Sequence, residues 1–357
     1  MCRYRIVPYM TYDGAKAQPC ISLSWQRLLS IRLCRCGFLS LFLLPTILLA
    51  EPSYMPINYG DMNPLTMNFG APRVRSPADI AEGQLSWQVT SELGNTVHVA
   101  NTQSESLLVD AETSRQVIML EYAISNKWNF LLEVPYIRHG GGSFDGFIED
   151  FHNTLGFPAG PRKGRVKDAF TVSYHGNGME PLVIDDVHSG LGDMSISLMR
   201  GLSGHWGDNL NIGLKMKFST GSESNLTGSG TNDLAIWASA SKEIYPDLAH
   251  YLSLSAVSIN GNGGLLTDIR NDEYAAASYG IGWRFNELVE FKLQLDARTA
   301  IFGASAVRSL GHSVALSIGG TLSFSSGYDL DIAVTEDIDV GTSPDVVFHM
   351  NLRRHYR

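Results

Sequence analysis

From residue 85 to residue 355, apolar and polar side chains alternate one for one in segment after segment. In 209–219, Leu210, Ile212, Leu214, Met216 and Phe218 are interleaved with Asn209, Asn211, Gly213, Lys215, Lys217 and Ser219. In 289–298, Val289, Phe291, Leu293, Leu295 and Ala297 alternate with Glu290, Lys292, Gln294, Asp296 and Arg298. In 345–355, Val346, Phe348, Met350 and Leu352 alternate with His349, Asn351 and Arg353. A period of two is that of a strand with one apolar and one polar face. The pattern predicts twelve strands, at 85–98, 106–124, 128–137, 192–203, 209–219, 232–244, 248–259, 273–285, 288–298, 312–324, 328–336 and 345–355. Segment 106–124 is long enough for two pieces, and the alternation blurs across 232–259.

A soluble sandwich also alternates, but most of these strands are twice the usual soluble length and long enough to cross a bilayer at a tilt. Connections are tight at 125–127, 203–208, 245–247, 286–287 and 325–327. Longer ones intervene at 99–104, 137–189, 220–231, 260–272, 299–310 and 336–344. Trp128, Trp206, Tyr245, Trp283, Phe285, Phe324, Tyr328 and Tyr356 gather on the short-turn side, and Tyr136, Phe218, Tyr274 and Phe302 at the far ends. Two aromatic belts with alternating loop lengths predict an all-β fold: a transmembrane antiparallel up-and-down β-barrel of about twelve strands with short periplasmic turns and long extracellular loops. The even count places both ends of the barrel on the periplasmic side.

Ahead of the barrel, 37–50 is an apolar run that follows Arg27, Arg32 and Arg35 and ends at Ala50. That order is a secretory signal, preceded here by an over-extended N-terminus; Pro45 and the shortness of the run argue against a spanning helix. The expected organisation is a signal over 1–50, an extended periplasmic segment over 51–84 with five prolines, and an outer-membrane barrel over 85–357. All four cysteines precede residue 50, which removes disulfide scaffolds and thiol chemistry from the rest. Residues 1–50 hold six basic groups and one acid, leaving 21 basic and 35 acidic groups beyond them. So acidic a chain is not a nucleic-acid binder.

Three stretches carry a family resemblance. Asn63-Pro64-Leu65 with Phe69-Gly70-Ala71-Pro72 precedes the barrel, Pro135 to His139 leads into Phe144 to His152, and Ser189-Gly190-Leu191-Gly192-Asp193 opens the fourth strand. Together they resemble a proteobacterial outer-membrane barrel family known as domain of unknown function 3187. The Gly-Leu-Gly-Asp opening is also similar to barrels of the phenol-degradation porin group. The resemblance implies a barrel of the Gram-negative outer membrane and brings no established activity.

Alternation places Glu121, Glu133, Lys215, Lys217, Arg284, Glu290, Lys292, Asp296, Arg298, Asp329, Asp331, His349 and Arg353 in the lumen. Acids and bases nearly balance, and Gly280, Gly282 and Gly319 leave room beside them. Twelve strands enclose more than a side-chain-filled eight-stranded barrel and less than a sixteen-stranded porin. The reading is a narrow channel for small polar solutes, with outer-membrane lipid and the barrel-assembly machinery as further partners. The alternatives are a closed, salt-bridged barrel that interacts with lipopolysaccharide, and a barrel-resident lipid-modifying enzyme. For the enzyme, His139, His152, His175 and His188 lie near Ser143, Ser173 and Ser189, without a recognisable nucleophile elbow. The acids at Glu336, Asp337, Asp339 and Asp345 lack EF-hand spacing, so no catalytic, cofactor or metal residue is assigned.

Within the long loop, Phe144, Phe147, Ile148, Phe151 and Leu155 recur at helical spacing and predict a short amphipathic helix able to constrict the mouth. Arg162, Lys163, Arg165 and Lys167 follow, a set suited to lipopolysaccharide phosphate.

Overall fold

The computed structural model describes residues 55–75, 80–142, 146, 168–176, 178–202, 209–338 and 341–354. The signal expected at 1–50, the helix residues Phe144, Phe147, Ile148, Phe151 and Leu155, and Arg162, Lys163, Arg165 and Lys167 lie outside them.

The described strands are β1 (Leu85–Asn101), β2 (Glu105–Ser125), β3 (Trp128–Gly140), β4 (Thr171–Gly176), β5 (Leu182–Ile184), β6 (His188–Leu191), β7 (Ser195–Leu202), β8 (Asn209–Lys217), β9 (Asn232–Tyr245), β10 (Leu248–Asn260), β11 (Glu273–Arg284), β12 (Val289–Arg298), β13 (Ser313–Phe324), β14 (Tyr328–Asp337) and β15 (Val346–Arg354). Twelve of them, β1–β3 and β7–β15, pair antiparallel in chain order. The sheet closes where β1 meets β15, with Gln88 opposite Arg353 and Asn95 opposite Val346. Closure leaves no free sheet edge in the wall, as a bilayer requires of any strand that crosses it. The remaining three strands sit in the long connection after β3. β4 extends the sheet from the extracellular half of β2, β5 pairs with β4, and β6 pairs with β3.

The twelve predicted strands are the twelve of the wall. Segment 106–124 is one unbroken strand, because its extracellular half is held by β1 on one side and β4 on the other. The blur across 232–259 comes from Ala238, Ala240, Ser253, Ser255 and Ala256, residues small enough for either face; the β9–β10 ladder itself is continuous from Asn232 to Ser241.

Burial is inverted relative to a soluble protein. Ile236 is 59% exposed, Ile318 60% and Leu254 52%, while Lys292 and Lys217 are each 3% exposed. A continuous apolar outer face of this kind is stable only against lipid. At the periplasmic rim, Trp283 stacks on Phe291 at 5.9 Å, and Trp87 lies 6.1 Å from Tyr328. The opposite rim departs from expectation. Tyr136 is 48% exposed, but Tyr274 and Phe302 are buried in the barrel mouth rather than facing lipid.

The larger correction concerns the segment before the barrel. The described part of the expected periplasmic lead-in, residues 55–75, folds into the lumen as a hairpin-shaped excursion. Ile57, Met62, Leu65, Met67 and Phe69 are all buried there. Its first arm passes Gln294, whose amide accepts from Ile57 N at 3.0 Å and donates to Ile57 O at 3.1 Å. Its tip reaches the extracellular end, where Asn68 donates to Leu226 O at 2.6 Å and Phe69 meets Phe302 edge-on at 5.8 Å. The second arm descends through Arg73 to Arg75, which pairs with Glu121 near the periplasmic end. Five apolar side chains in one short stretch have no lipid or solvent face to occupy, and the lumen supplies the only dry surface within reach.

Among the described residues, one apolar cluster of wall and loop side chains covers the extracellular mouth as a lid. Wall residues Leu107, Val109, Val257 and Ile259 pack with Val172 and Tyr174 of β4 and with the loop residues Leu226, Leu265, Ile269, Ile301, Phe302 and Leu310. Leu65 and Phe69 of the hairpin belong to the same cluster. Glu105 fastens one of these loops from the wall, accepting from Ser305 Oγ at 2.8 Å and Ala306 N at 2.9 Å.

Candidate functional site in the barrel lumen

The inward positions of the strands hold ionisable groups at three levels, each tied to the hairpin or to the lid. Near the periplasmic end, Asp331 accepts from Arg353, from Asn351 Nδ2 at 2.8 Å and from Lys292 Nζ at 3.3 Å. Arg353 also reaches Asp329 at 3.2 Å, and Lys292 stands 3.8 Å from Glu290. Arg284 is half-buried at the foot of β11, opposite Glu290 in register. Glu121 takes Arg75 of the hairpin and Asn129 Nδ2 at 2.6 Å.

At mid-height, Glu92 collects three cations or potential cations: Arg115 at 2.7 Å, Arg73 of the hairpin at 2.8 Å and His349 at 3.4 Å. The Arg73–Glu92 contact is two-pronged, with the guanidinium nitrogens 3.0 and 2.8 Å from the two carboxylate oxygens. The same guanidinium donates to Asn58 O and Asn58 Oδ1, each at 3.2 Å, so one side chain clamps both arms of the hairpin to the wall. Glu133 pairs with Lys215 at 2.6 Å and accepts from Ser195 Oγ at 2.8 Å. Asp296 accepts from Ser278 Oγ at 2.5 Å and from Gln294 Nε2 at 3.1 Å.

Towards the mouth, Lys217 lies between Asp193 at 2.8 Å and Asp233 at 3.2 Å. Asp233 accepts from Gly70 N of the hairpin at 2.8 Å, and Lys215 donates to Ala71 O at 3.3 Å. Arg298 reaches Asp61 of the hairpin at 2.9 Å and Gly311 O of the lid at 3.0 Å. Asp193, the last residue of the Gly-Leu-Gly-Asp stretch, also accepts from Gly221 N and Ser229 N at 2.9 Å each, which anchors the loop above it.

Of the thirteen lumen candidates, eleven are buried and Arg284 and Arg298 are partly buried, and among the described residues Asp296 has no cation within 4.0 Å. Sequence reasoning missed Glu92, Arg115 and Asp233 on the wall, and Asp61, Arg73 and Arg75 in the hairpin. The wall residues obey the same alternation and were legible; the hairpin residues have no period to read. The interior is also less open than its glycines imply. Tyr251 covers Gly280 and Gly282 while donating to Glu290 at 3.0 Å, and Trp237 covers Gly213. A cavity of about 120 Å³ remains between hairpin and wall, bordered by Tyr59, Asp61, Arg115, Glu133, Asp296 and Arg298.

Other candidate groups have structural partners. His139 is held between Thr113 Oγ1 at 2.9 Å and Leu226 O at 2.9 Å. Asp337 accepts from Gly341 N at 2.6 Å, and Asp345 from Val97 N at 3.2 Å, so these acids shape the last loop. Among the described residues no group of three or more His, Cys, Asp or Glu side chains is placed to hold a metal ion.

The periplasmic cluster yields a direct test. Arg353→Ala takes the shared guanidinium from Asp331 and Asp329 and leaves Lys292 as the cation beside Asp331, so it destabilises the parent by about 2–3 kcal/mol. In an Asp329→Asn/Asp331→Asn background the loss is smaller, as read from urea unfolding of the refolded barrel; additive losses would show that the three groups do not interact.

Comparison with solved structures returns outer-membrane barrels. The COG4313 outer membrane channel from Pseudomonas putida F1 matches at TM-score 0.50 and 13% identity, covering 77% of this chain and 96% of that one. The KdgM porin matches at TM-score 0.40 and 8% identity, covering 76% and 99%. The Ralstonia pickettii toluene transporter TbuX matches at TM-score 0.40 and 10% identity, covering 84% and 100%. No curated protein matches the chain by sequence. At such identities the likeness is one of fold: an outer-membrane β-barrel. By sequence, over residues 43–356, the chain belongs to the family described as Protein of unknown function (DUF3187).

Proposed function

We propose that this protein is an outer-membrane channel for small polar solutes, exported by the signal at 1–50, whose lumen is closed in the present state by its own N-terminal hairpin. The observation that supports this is the nature of the seal. From the periplasmic end to the mouth the hairpin meets the wall by ion pairs and hydrogen bonds from Gln294, Glu92, Glu121, Asp233 and Lys215, beside one small apolar patch of Met62 and Met67 against Ile137 and Val347. Groups of this kind are satisfied equally well by water and solute once the hairpin moves, whereas a permanent core would be apolar. COG4313 is described as a channel and KdgM as a porin, and the same role fits this barrel.

The test is single-channel recording of the refolded full chain in a planar bilayer. Discrete, infrequent openings are expected. A bilayer that stays silent at every voltage, together with hydrolysis of added phospholipid, would replace the channel by the lipid-modifying enzyme. Lipopolysaccharide contact through Arg162, Lys163, Arg165 and Lys167 belongs to the same proposal and is read by binding to vesicles that contain it.

A further inference from the structure

We propose that Asp296 is the solute-binding group of the open pore, and that the solute it receives is a small cation of the ammonium type. The inference rests on the channel reading above.

Away from the loop-bound acids Glu105 and Asp337 at the extracellular ends, Asp296 differs from the other inward acids of the strands. Glu92, Glu121, Glu133, Asp233, Glu290, Asp329 and Asp331 each have a Lys or Arg nitrogen within 4.0 Å. Asp296 has no such partner among the described residues; its contacts are the Ser278 hydroxyl and the Gln294 amide. It is 4% exposed, and a carboxylate carried that deep without a counter-charge is costly unless it takes up a proton or a cation comes to it. The space for one is present. The carboxylate borders the cavity between hairpin and wall, where β11 contributes Tyr274, Ala276 and Ser278 on its inward face and Arg115, Lys215 and Arg298 stand elsewhere on the lining.

Gln294 ties this carboxylate to the gate. Its Oε1 now accepts from Ile57 N, and its Nε2 donates both to Ile57 O and to Asp296. When the hairpin leaves, Oε1 loses its donor and turns to the pore beside the carboxylate. Asp296, Gln294 Oε1 and Ser278 Oγ then form an all-oxygen acceptor set, which matches the three N–H donors of an ammonium group. Arg298, two residues further along the same face, loses Asp61 and Thr66 when the hairpin leaves and keeps its bond to Gly311 O. Departure of the hairpin also takes Arg73, Arg75 and Asp61 out of the lumen, a net loss of one positive charge, and leaves Glu92 with Arg115 and His349 and Glu121 without Arg75.

The experiment is the reversal potential of the full-length channel under a gradient of potassium chloride and then of methylammonium chloride. The parent, Asp296→Asn and Asp296→Glu are compared, each shown to be folded by heat-dependent migration on SDS gels. The parent and Asp296→Glu are expected to be cation-selective, and Asp296→Asn to move towards zero or to anion selectivity at similar conductance. Methylammonium should block potassium current in the parent and not in Asp296→Asn. Equal reversal potentials in parent and Asp296→Asn would overturn the site while leaving the channel standing. Absence of current from all three would overturn the channel reading and the site with it.

Discussion

Oxidation of a Met62→Cys/Gly94→Cys variant shuts the pore, and reduction reopens it to the parental level. An ideal Cβ built on Gly94 stands 2.9 Å from Met62 Cβ, so the hairpin backs off by roughly 0.6–0.9 Å to reach disulfide geometry. Residues 51–357 contain no cysteine to compete. Met62 lies in the hairpin and Gly94 on β1, so the cross-link joins the proposed gate to the wall without touching a charged group. Deletion of residues 55–75 is the converse variant. It removes every ion pair between hairpin and lumen and the Leu65 and Phe69 contacts with the lid, and conductance should rise several-fold with long open times. Single-channel recording with and without reductant checks both. If the oxidised cross-linked protein opens as often as the parent, the hairpin is not the gate.

Glu92→Ala is expected to be the most destabilising single substitution in the lumen. The Glu92 side chain is 1% exposed and faces Arg73 and Arg115, themselves 8% and 6% exposed. Truncation leaves two guanidiniums side by side in a dry site. Removing one partner of a buried pair costs about 3–5 kcal/mol, much of it the penalty of the stranded charge. Urea unfolding should show that loss. Arg73→Ala separates the gate from the fold. Glu92 keeps Arg115, so the barrel loses less stability, while the clamp across Asn58 and Glu92 is gone and openings become more frequent. Equal stability losses for the two substitutions would show that Arg73 serves the wall as much as Glu92 does.

The wall was legible because strand geometry writes itself into a two-residue period, and because lipid and lumen demand opposite polarities. That single rule locates Lys215, Lys217, Lys292, Asp296 and Arg353 on inward positions without any knowledge of the fold. It falters where both faces carry small residues, as along β9 and β10. It also misleads on inward apolar positions such as Val117, Met119, Leu131, Met199 and Trp237, which form a buried cluster inside the lumen rather than a lipid face. The hairpin was not legible, because its residues are held by long-range partners: Ile57 by Gln294, Asp61 by Arg298, Gly70 by Asp233. An irregular, proline-rich stretch that makes its hydrogen bonds to distant strands leaves no periodic trace. The space expected beside Gly280 and Gly282 was misjudged for a related reason. A glycine marks where a backbone is approached closely, and here Tyr251 makes the approach.

Because Leu65 and Phe69 share one apolar cluster with Leu226, Ile301 and Phe302, the hairpin and the surface loops cannot change state independently. Their joint packing makes the two faces of the membrane thermodynamically linked. A molecule on the cell surface that binds the loops better in their loosened form must weaken the seat of the hairpin by the same free energy. Conversely, whatever draws the hairpin towards the periplasm raises the affinity of the outer loops for that molecule by an equal factor. On the proposed gating, communication across the bilayer would run through this shared core.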